Sequence, residues 1–554
     1  MRLRRLSTAL AAAALVLLAG CTTIPSSGDV QVGLTDLEQS EQTYQFNPNG
    51  PTAGASQEDL VRAFLRAGSS SAEDYSVARE FLTPDYAKQW DPRAGVLVYE
   101  GARPYTASGD GLGVLEIDAT AKVSADGTML PVEPGPKIQL RFEFERIDNE
   151  WRIASAPSGI VLDSSTFSTI WSPFQLYFIG PDSTLVPETR WFLKRTALAT
   201  EIVGALIAGP SELLRDSVHT AFPSGTTLVG SSVPIVDGRA QIDLSNEMLN
   251  AGPQDIEQVR QQLKNSLQYI DEVRGFDLLA SGTPIREGSS ASPEVRVPGE
   301  ATNPAVISGG RFGTVVSGEF REMEGFAQGI AALHPTAVTL APDEHAAAVQ
   351  NASGISLTDA NGTALLDARP GLVAPSFDIF GYVWTAQTDA PQVLAAYAPD
   401  GTAIAVAAPW LKGRSVIGIR VSPEGSRIAA LVAEDGRSAV YLAGIVRDDA
   451  GVPLRTSPEA NVVMWADGHP IDFDWIGTLR IGTLTKADSV AAITAGGPGY
   501  FAVEQGSVPG GLSLSGGGVR AQLRVLGENG GLFSQLTSAW QRSKGDIQLL
   551  AKRG

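Results

Sequence analysis

The chain has 554 residues, and at roughly 150 residues per domain this implies three to four globular units and excludes a single core. Asp and Glu number 61 against 42 Lys and Arg, a formal charge of −19, which argues against a surface built to neutralise nucleic-acid phosphates or anionic headgroups. With 43% hydrophobic and 19% charged residues the balance is that of a folded chain, and 59 Gly with 34 Pro favour a β-rich architecture of many turns. One cysteine, Cys21, excludes an internal disulfide, a cysteine-rich zinc site and a CxxC redox pair.

Arg2, Arg4 and Arg5 precede an apolar run over 6–18, too short to span a bilayer and laid out like a secretory signal. At its end Leu18-Ala19-Gly20-Cys21 resembles the lipobox of bacterial lipoproteins. That resemblance implies that residues 1–20 are a signal peptide removed before Cys21, which carries an S-diacylglycerol thioether and an N-acyl chain such as palmitate. Two acyl chains are enough for stable residence on a membrane. Loss of the three arginines leaves a mature side-chain balance of −22. Residues 21–55 lack sustained periodicity and are expected to form a lipidated tether, with a mean span of roughly 30 Å for a coil of about 34 residues.

The first folded unit is expected over 56–165. Ser56, with Asp59 three residues on, has the arrangement of a helix cap, and Leu60, Val61, Phe64 and Leu65 follow at helical spacing. A second helix is expected over 75–90, with Val77, Phe81 and Leu82 inward and Pro84 as a kink or boundary. After Pro92 the pattern changes to strands over 95–99, 112–123, 138–147 and 151–154, with a turn at Asp148-Asn149. Helices followed by an antiparallel sheet make an α+β order. The run from Phe144 to Ile153 resembles the last hairpin of the nuclear-transport-factor-like cone, a scaffold that hosts both enzymes and inert modules.

The second unit is expected over 172–287. A strand over 174–180 leads through Thr189 to Leu193 into a helix that Thr196 can cap and whose apolar face carries Leu198, Ile202, Leu206 and Ile207. Gly209-Pro210 ends it, Pro223 to Gly225 form a turn, residues 227–229 read as a short strand, and Asp237-Gly238 reads as a hairpin turn. A further helix begins at Pro253, with Ile256, Val259, Leu263, Leu267 and Ile270 on one face. The LIAGPSE, TAFPSGTTL and DGRAQIDLS segments resemble the GerMN, or sporulation and spore germination, domain. This implies an α/β, non-catalytic, wall-associated module.

Over 303–554 short strand-like runs alternate with Gly and Asp turns. Glu344, Gly381, Gly425, Gly477 and Gly517 fall at equivalent turns spaced 37, 44, 52 and 40 residues apart, near the length of a four-stranded propeller blade. Asp359-Ala360-Asn361-Gly362 and Pro399-Asp400-Gly401 then belong to outer hairpins. Five or six blades fit, and a β-sandwich of similar turn spacing is the other solution.

The order of lipobox, tether, α+β cone, GerMN-like module and propeller resembles that of the LpqB-type lipoproteins of high-GC Gram-positive bacteria. The resemblance implies a protein lipid-anchored on the extracytoplasmic face of the cell membrane, acting on the sensor kinase of the MtrAB two-component system in envelope homeostasis and division. It carries over a role and no contact residues. Catalytic motifs are missing: the chain has no GxSxG, HExxH or GxxxxGK[ST]. His219, His334, His345 and His469 are scattered, and Asp243, Asp378 and Asp474 stand at strand ends where carboxylates satisfy turn amides. The expectation is therefore a non-enzyme with no cofactor, no metal and no nucleic-acid partner. The other functional reading is a propeller that binds or cleaves peptidoglycan or another glycan in its central channel.

Overall fold

The computed structural model describes residues 48–194, 197–286, 303–487, 490–517, 522–536 and 539–554; the signal, Cys21, most of the tether and Thr196 lie outside the described residues. Helix α1 (Gln57–Ala67) begins where the Ser56 hydroxyl accepts the Asp59 N–H at 3.1 Å, and it buries Leu60, Val61, Phe64 and Leu65. Each such side chain contributes about 1.5–3 kcal/mol relative to exposure.

The single helix expected over 75–90 is two short ones, α2 (Ser76–Arg79) and α3 (Pro84–Gln89). The cause is a strand edge. Ile153 donates its N–H to Phe81 O and accepts from Thr83 N, both at 2.9 Å, so residues 81–83 are drawn onto the sheet. Pro84 then starts a new helix, capped by the Thr83 hydroxyl.

Strands β1 (Gly95–Glu100), β2 (Tyr105–Ala107), β3 (Leu112–Ser124), β4 (Met129–Pro131), β5 (Ile138–Ile147), β6 (Glu150–Ser155) and β7 (Ile160–Asp163) make one sheet. Its spine runs β6-β5-β3-β1-β7, with β2 and β4 both on β3. Asp148 and Asn149 take positive φ in the β5–β6 hairpin, as a tight two-residue turn requires. Alternate residues Leu115 and Ile117 of β3 and Leu140, Phe142 and Phe144 of β5 enter the same core as the α1 residues.

Helix α4 (Ser164–Ile170) leads into β8 (Trp171–Ile179), which pairs along its whole length with β9 (Leu185–Leu193). The two apolar runs of the sequence are thus one antiparallel hairpin. Helix α5 (Leu198–Ala208) buries Ala199, Ile202, Val203 and Leu206, with Leu198 and Ile207 only partly covered, and ends at Gly209 in positive φ. Next come β10 (Ile235–Val236), β11 (Arg239–Leu244), helix α6 (Pro253–Leu267), β12 (Gly275–Ala280) and β13 (Thr283–Pro284). Helix α6 is the crossover that makes β11 and β12 parallel. Its face buries Val259, Leu263 and Leu267 together with Gln262, whose amide accepts from Ala221 N at 2.6 Å and donates to Tyr177 O at 2.8 Å. The run at 227–229 contributes only a bridge between Leu228 and Leu244.

The remaining chain is a propeller of six blades. Blade 2 starts with Ala337–Leu340, blade 3 with Ser376–Phe377, blade 4 with Val416–Val421, blade 5 with His469–Ile476 and blade 6 with Gly511–Ser515. Glu344, Gly381, Gly425, Gly477 and Gly517 each lie between the first and second strands of these five blades. Blade 1 lacks that turn because its first strand, Ile547–Leu550, comes from the far end of the chain and pairs with Ala305–Ser308. First strands of neighbouring blades touch all the way round, which closes the ring. The wide spacing from Gly425 to Gly477 also has a structural origin. Besides Arg427–Glu434, the long strand Arg437–Arg447 of blade 4 pairs with two further partners, Asn461–Asp467 and an additional Pro453–Thr456.

Blades 4 and 5 hold the propeller to the other domains. Arg437 donates to Pro134 O at 2.5 Å, Arg455 pairs with Asp216 at 2.7 Å, and the Ser457 hydroxyl donates to Leu213 O at 3.0 Å. The hairpin tip of blade 5 lies against β9: Phe501 meets Phe167 and Trp191 edge to face, and the Trp191 indole donates to Gly499 O at 2.9 Å. Trp191→Phe is expected to lower stability by about 1–2 kcal/mol, since it strands a buried carbonyl. Urea denaturation measures it, and an unchanged midpoint would show that the bond contributes nothing.

Candidate functional site

At the axis of a propeller the first strands converge, and here the last residues of the chain cross that centre. Lys552 and Arg553 add as a short parallel strand beside Thr339 and Leu340 of blade 2. Gly554 N–H continues to Leu340 O at 2.9 Å. The Lys552 ammonium donates to Asp472 at 2.8 Å, to Phe473 O at 2.6 Å and to Leu514 O at 2.8 Å, so one cation joins blades 5 and 6 to the blade 2 edge.

Two carboxylates at i and i+2 of the blade 5 inner strand face two amides at the same spacing in blade 6. Asp472 accepts from Leu514 N at 2.8 Å and Asp474 from Gly516 N at 2.9 Å, in place of a backbone ladder. Arg420 of blade 4, buried to 3% side-chain exposure, lies 3.3 Å from Asp474 and donates to Pro375 O at 3.0 Å. Burial pulls both the Lys552 ammonium and the Arg420 guanidinium below their ordinary pKa values, against the opposing pull of these aspartates. The axis is therefore a packed polar plug of two cations and two carboxylates, each carboxylate engaged by a cation and by backbone amides.

The residues singled out in the sequence are dispersed. Asp243 accepts from Gly282 N at 2.9 Å in a turn of the middle domain. Asp378 is buried at the blade 3 turn and paired with Arg447, while Asp474 belongs to the plug. His219 takes part in a backbone bridge with Ile179, and burial lowers its imidazole pKa. His334 follows a short turn in positive φ, His345 donates its backbone N–H to Asp343, and His469 opens the first strand of blade 5. Among the described residues no group of three or more His, Cys, Asp or Glu side chains is placed to hold a metal ion.

Lys552, Arg420 and Asp472 were not visible as a group in the sequence, since they are brought together from positions up to 132 residues apart only when the ring closes. A signal existed: an apolar run ending in Lys552-Arg553 at the very end of a repeat array is what a closing strand looks like.

Comparison with known proteins covers most of the chain. The family models described as "Lipoprotein LpqB, N-terminal domain", "Sporulation and spore germination" and "Lipoprotein LpqB beta-propeller domain" match residues 50–168, 175–286 and 310–547. The chain is 26% identical over 530 residues to "Lipoprotein LpqB" of Thermobifida fusca, covering 81% of this chain and 83% of that one. It is 28% identical over 537 residues to "Lipoprotein LpqB" of Streptomyces coelicolor, covering 85% of each. Among solved structures, the first GerMN domain of the sporulation protein GerM from Bacillus subtilis is 22% identical, with a TM-score of 0.19, over 23% of this chain and 98% of that domain.

Proposed function

The chain belongs to the LpqB lipoprotein family, and from that premise we propose that it is an accessory protein held by acylated Cys21 on the extracytoplasmic face of the membrane. Its propeller docks on the extracytoplasmic part of a two-component sensor kinase of the MtrAB type, in the service of envelope homeostasis and division. The observation that supports this best is the plugged axis combined with the attachment through blades 4 and 5. A propeller filled at its centre and fixed along one side works through its rim and faces, and blades 1, 2, 3 and 6 are the ones turned to a partner. The reading in which a glycan occupies the central channel meets Lys552, Arg420, Asp472 and Asp474 in that volume.

Among the described residues no helix is long and apolar enough to cross a membrane. Cys21→Ala is expected to shift the protein from the membrane fraction to a soluble or uncleaved form, as fractionation with lipid labelling would detect. Persisting acylation would overturn the anchor. For the partner, the sensor's extracytoplasmic domain and purified peptidoglycan are offered side by side to the full-length protein. Capture of the sensor domain supports the proposal, and peptidoglycan binding without sensor binding sinks it.

A further inference from the structure

The chain is acidic overall, yet four cations gather at one place on the N-terminal domain. A wide-mouthed cleft of about 700 Å³ is lined by Arg62 of α1, the loop from Gly101 to Pro104 between β1 and β2, Lys137 just before β5, and Asp163 at the end of β7. Arg66 stands one turn along α1 from Arg62, close enough that both repel the Arg103 guanidinium. At physiological salt the fields of remote acidic groups are screened beyond about 8 Å, so these local charges decide what enters. The loop is held in place. Arg62 Nη2 donates to Arg103 O at 3.1 Å, while the Arg103 guanidinium donates to the Tyr99 hydroxyl and lies 5.6 Å from the centre of that ring. Tyr99 is buried, so the part-buried Arg103 side chain rests on a fixed base where it lines the cleft.

The charges differ in how far they are neutralised. Arg62 pairs with Glu58 at 2.7 Å. Among the described residues Arg66, Arg103 and Lys137 have no carboxylate within ion-pair distance. Burial and the two α1 arginines lower the Arg103 pKa, with Asp163 pulling the other way. Asp163, the one carboxylate of the lining, accepts from Ser165 Oγ at 2.6 Å, Thr166 N at 3.0 Å and Thr166 Oγ1 at 2.7 Å. A carboxylate has about four acceptor positions, so one remains. Three unpaired cations facing that single carboxylate leave an excess of positive charge. A cation is repelled, and a neutral molecule leaves the excess uncompensated. A carboxylate ligand suits a guanidinium but offers Asp163 no donor and sets like charge beside it. A phosphate ester of a polyol meets both demands: its oxygens match the Arg103 fork and the Lys137 ammonium, and a hydroxyl donates to Asp163. The cleft is also far larger than a bare phosphate.

We infer that this cleft binds a polyol phosphate, of which glycerol phosphate is the simplest: the phosphate lies between Arg103 and Lys137, and a hydroxyl reaches Asp163. Such a group comes either as the headgroup of an anionic lipid or as a soluble ester. The chemistry does not depend on the sensor reading, and only the lipid source rests on the membrane anchor.

Calorimetry on the full-length protein in detergent, with glycerol 3-phosphate, inorganic phosphate and succinate, tests the site. Saturable binding of glycerol 3-phosphate is expected, tighter than that of the other two and weakening as salt is raised. Arg103→Gln should weaken it roughly tenfold, and Lys137→Gln, at an exposed position, roughly threefold. Ala102→Glu removes no side-chain contact and adds a carboxylate to the lining, so it should keep Tm while weakening binding by roughly tenfold or more. The inference is overturned if glycerol 3-phosphate fails to bind at about 10 mM, or if inorganic phosphate or succinate binds as tightly. It is equally overturned if Arg103→Gln and Ala102→Glu both bind like the parent. Sedimentation of the full-length Cys21→Ala protein with phosphatidylglycerol and with phosphatidylcholine vesicles then separates the two sources. Preference for phosphatidylglycerol that is lost on adding Arg103→Gln supports the lipid headgroup, and binding that Arg103→Gln leaves unchanged overturns the lipid source in favour of the soluble ester.

Discussion

Lys552→Met is expected to lower the unfolding free energy by about 3–5 kcal/mol, the cost of breaking a buried ion pair from one side. Methionine has comparable length and keeps the packing of the stem, so the loss isolates the ammonium. Without it, Asp472 loses its cation, and the carbonyls of Phe473 and Leu514 lose their donor. Arg420 holds Asp474 through Nε and Pro375 O through Nη1, and its buried Nη2 has no partner. Removing residues 547–554 should have a larger effect, since it also withdraws the first strand of blade 1 and opens the ring. Urea denaturation followed by near-UV circular dichroism reads both changes. A Lys552→Met variant within about 0.5 kcal/mol of the parent, the range of ordinary surface substitutions, would mean that the plug is not a structural element.

The plug also shows where sequence reasoning runs out. Turn residues are local: Glu344, Gly381 and Gly425 declare themselves by composition, because a tight turn needs positive φ and a strand on each side. They locate five blades, and the extra strand Pro453–Thr456 of blade 4 accounts for the 52-residue interval. Blade 1 is silent because its first strand and the other three come from opposite ends of the propeller, leaving no turn between them to read. The helix expected over 75–90 was broken by Ile153, some 70 residues away, a tertiary competitor that helical spacing cannot reveal. Cys21 is the reverse case: it is legible in sequence and lies outside the described residues.

Asp378→Asn is expected to cost about 3 kcal/mol or more, because it leaves the Arg447 guanidinium buried without its counter-charge. Both side chains are at 0% exposure, with Arg447 Nη2 at 2.5 Å from the carboxylate. Asp378 also accepts from the backbone amides of Phe380 and Tyr382 at 3.0 and 2.9 Å and from the Trp384 indole at 2.8 Å. Arg447 in turn donates to Gly425 O at 3.1 Å and Gly451 O at 2.8 Å and lies over the Phe380 ring at 4.4 Å. The pair therefore ties the inner turn of blade 3 to two turns of blade 4, which with blade 5 carries the contacts to the other domains. Asparagine matches the shape of Asp378, but its NH₂ must face either the indole and the guanidinium, which share Oδ2, or the two backbone amides, which share Oδ1; all four are donors, so the charge and two hydrogen bonds are lost together. Removing both charges with Asp378→Asn and Arg447→Met should cost less than the sum of the single losses, with a coupling of at least about 1 kcal/mol between groups in contact. A double-mutant cycle in urea measures it. Additive losses would show that the two residues act separately, and that the seam between blades 3 and 4 does not depend on this pair.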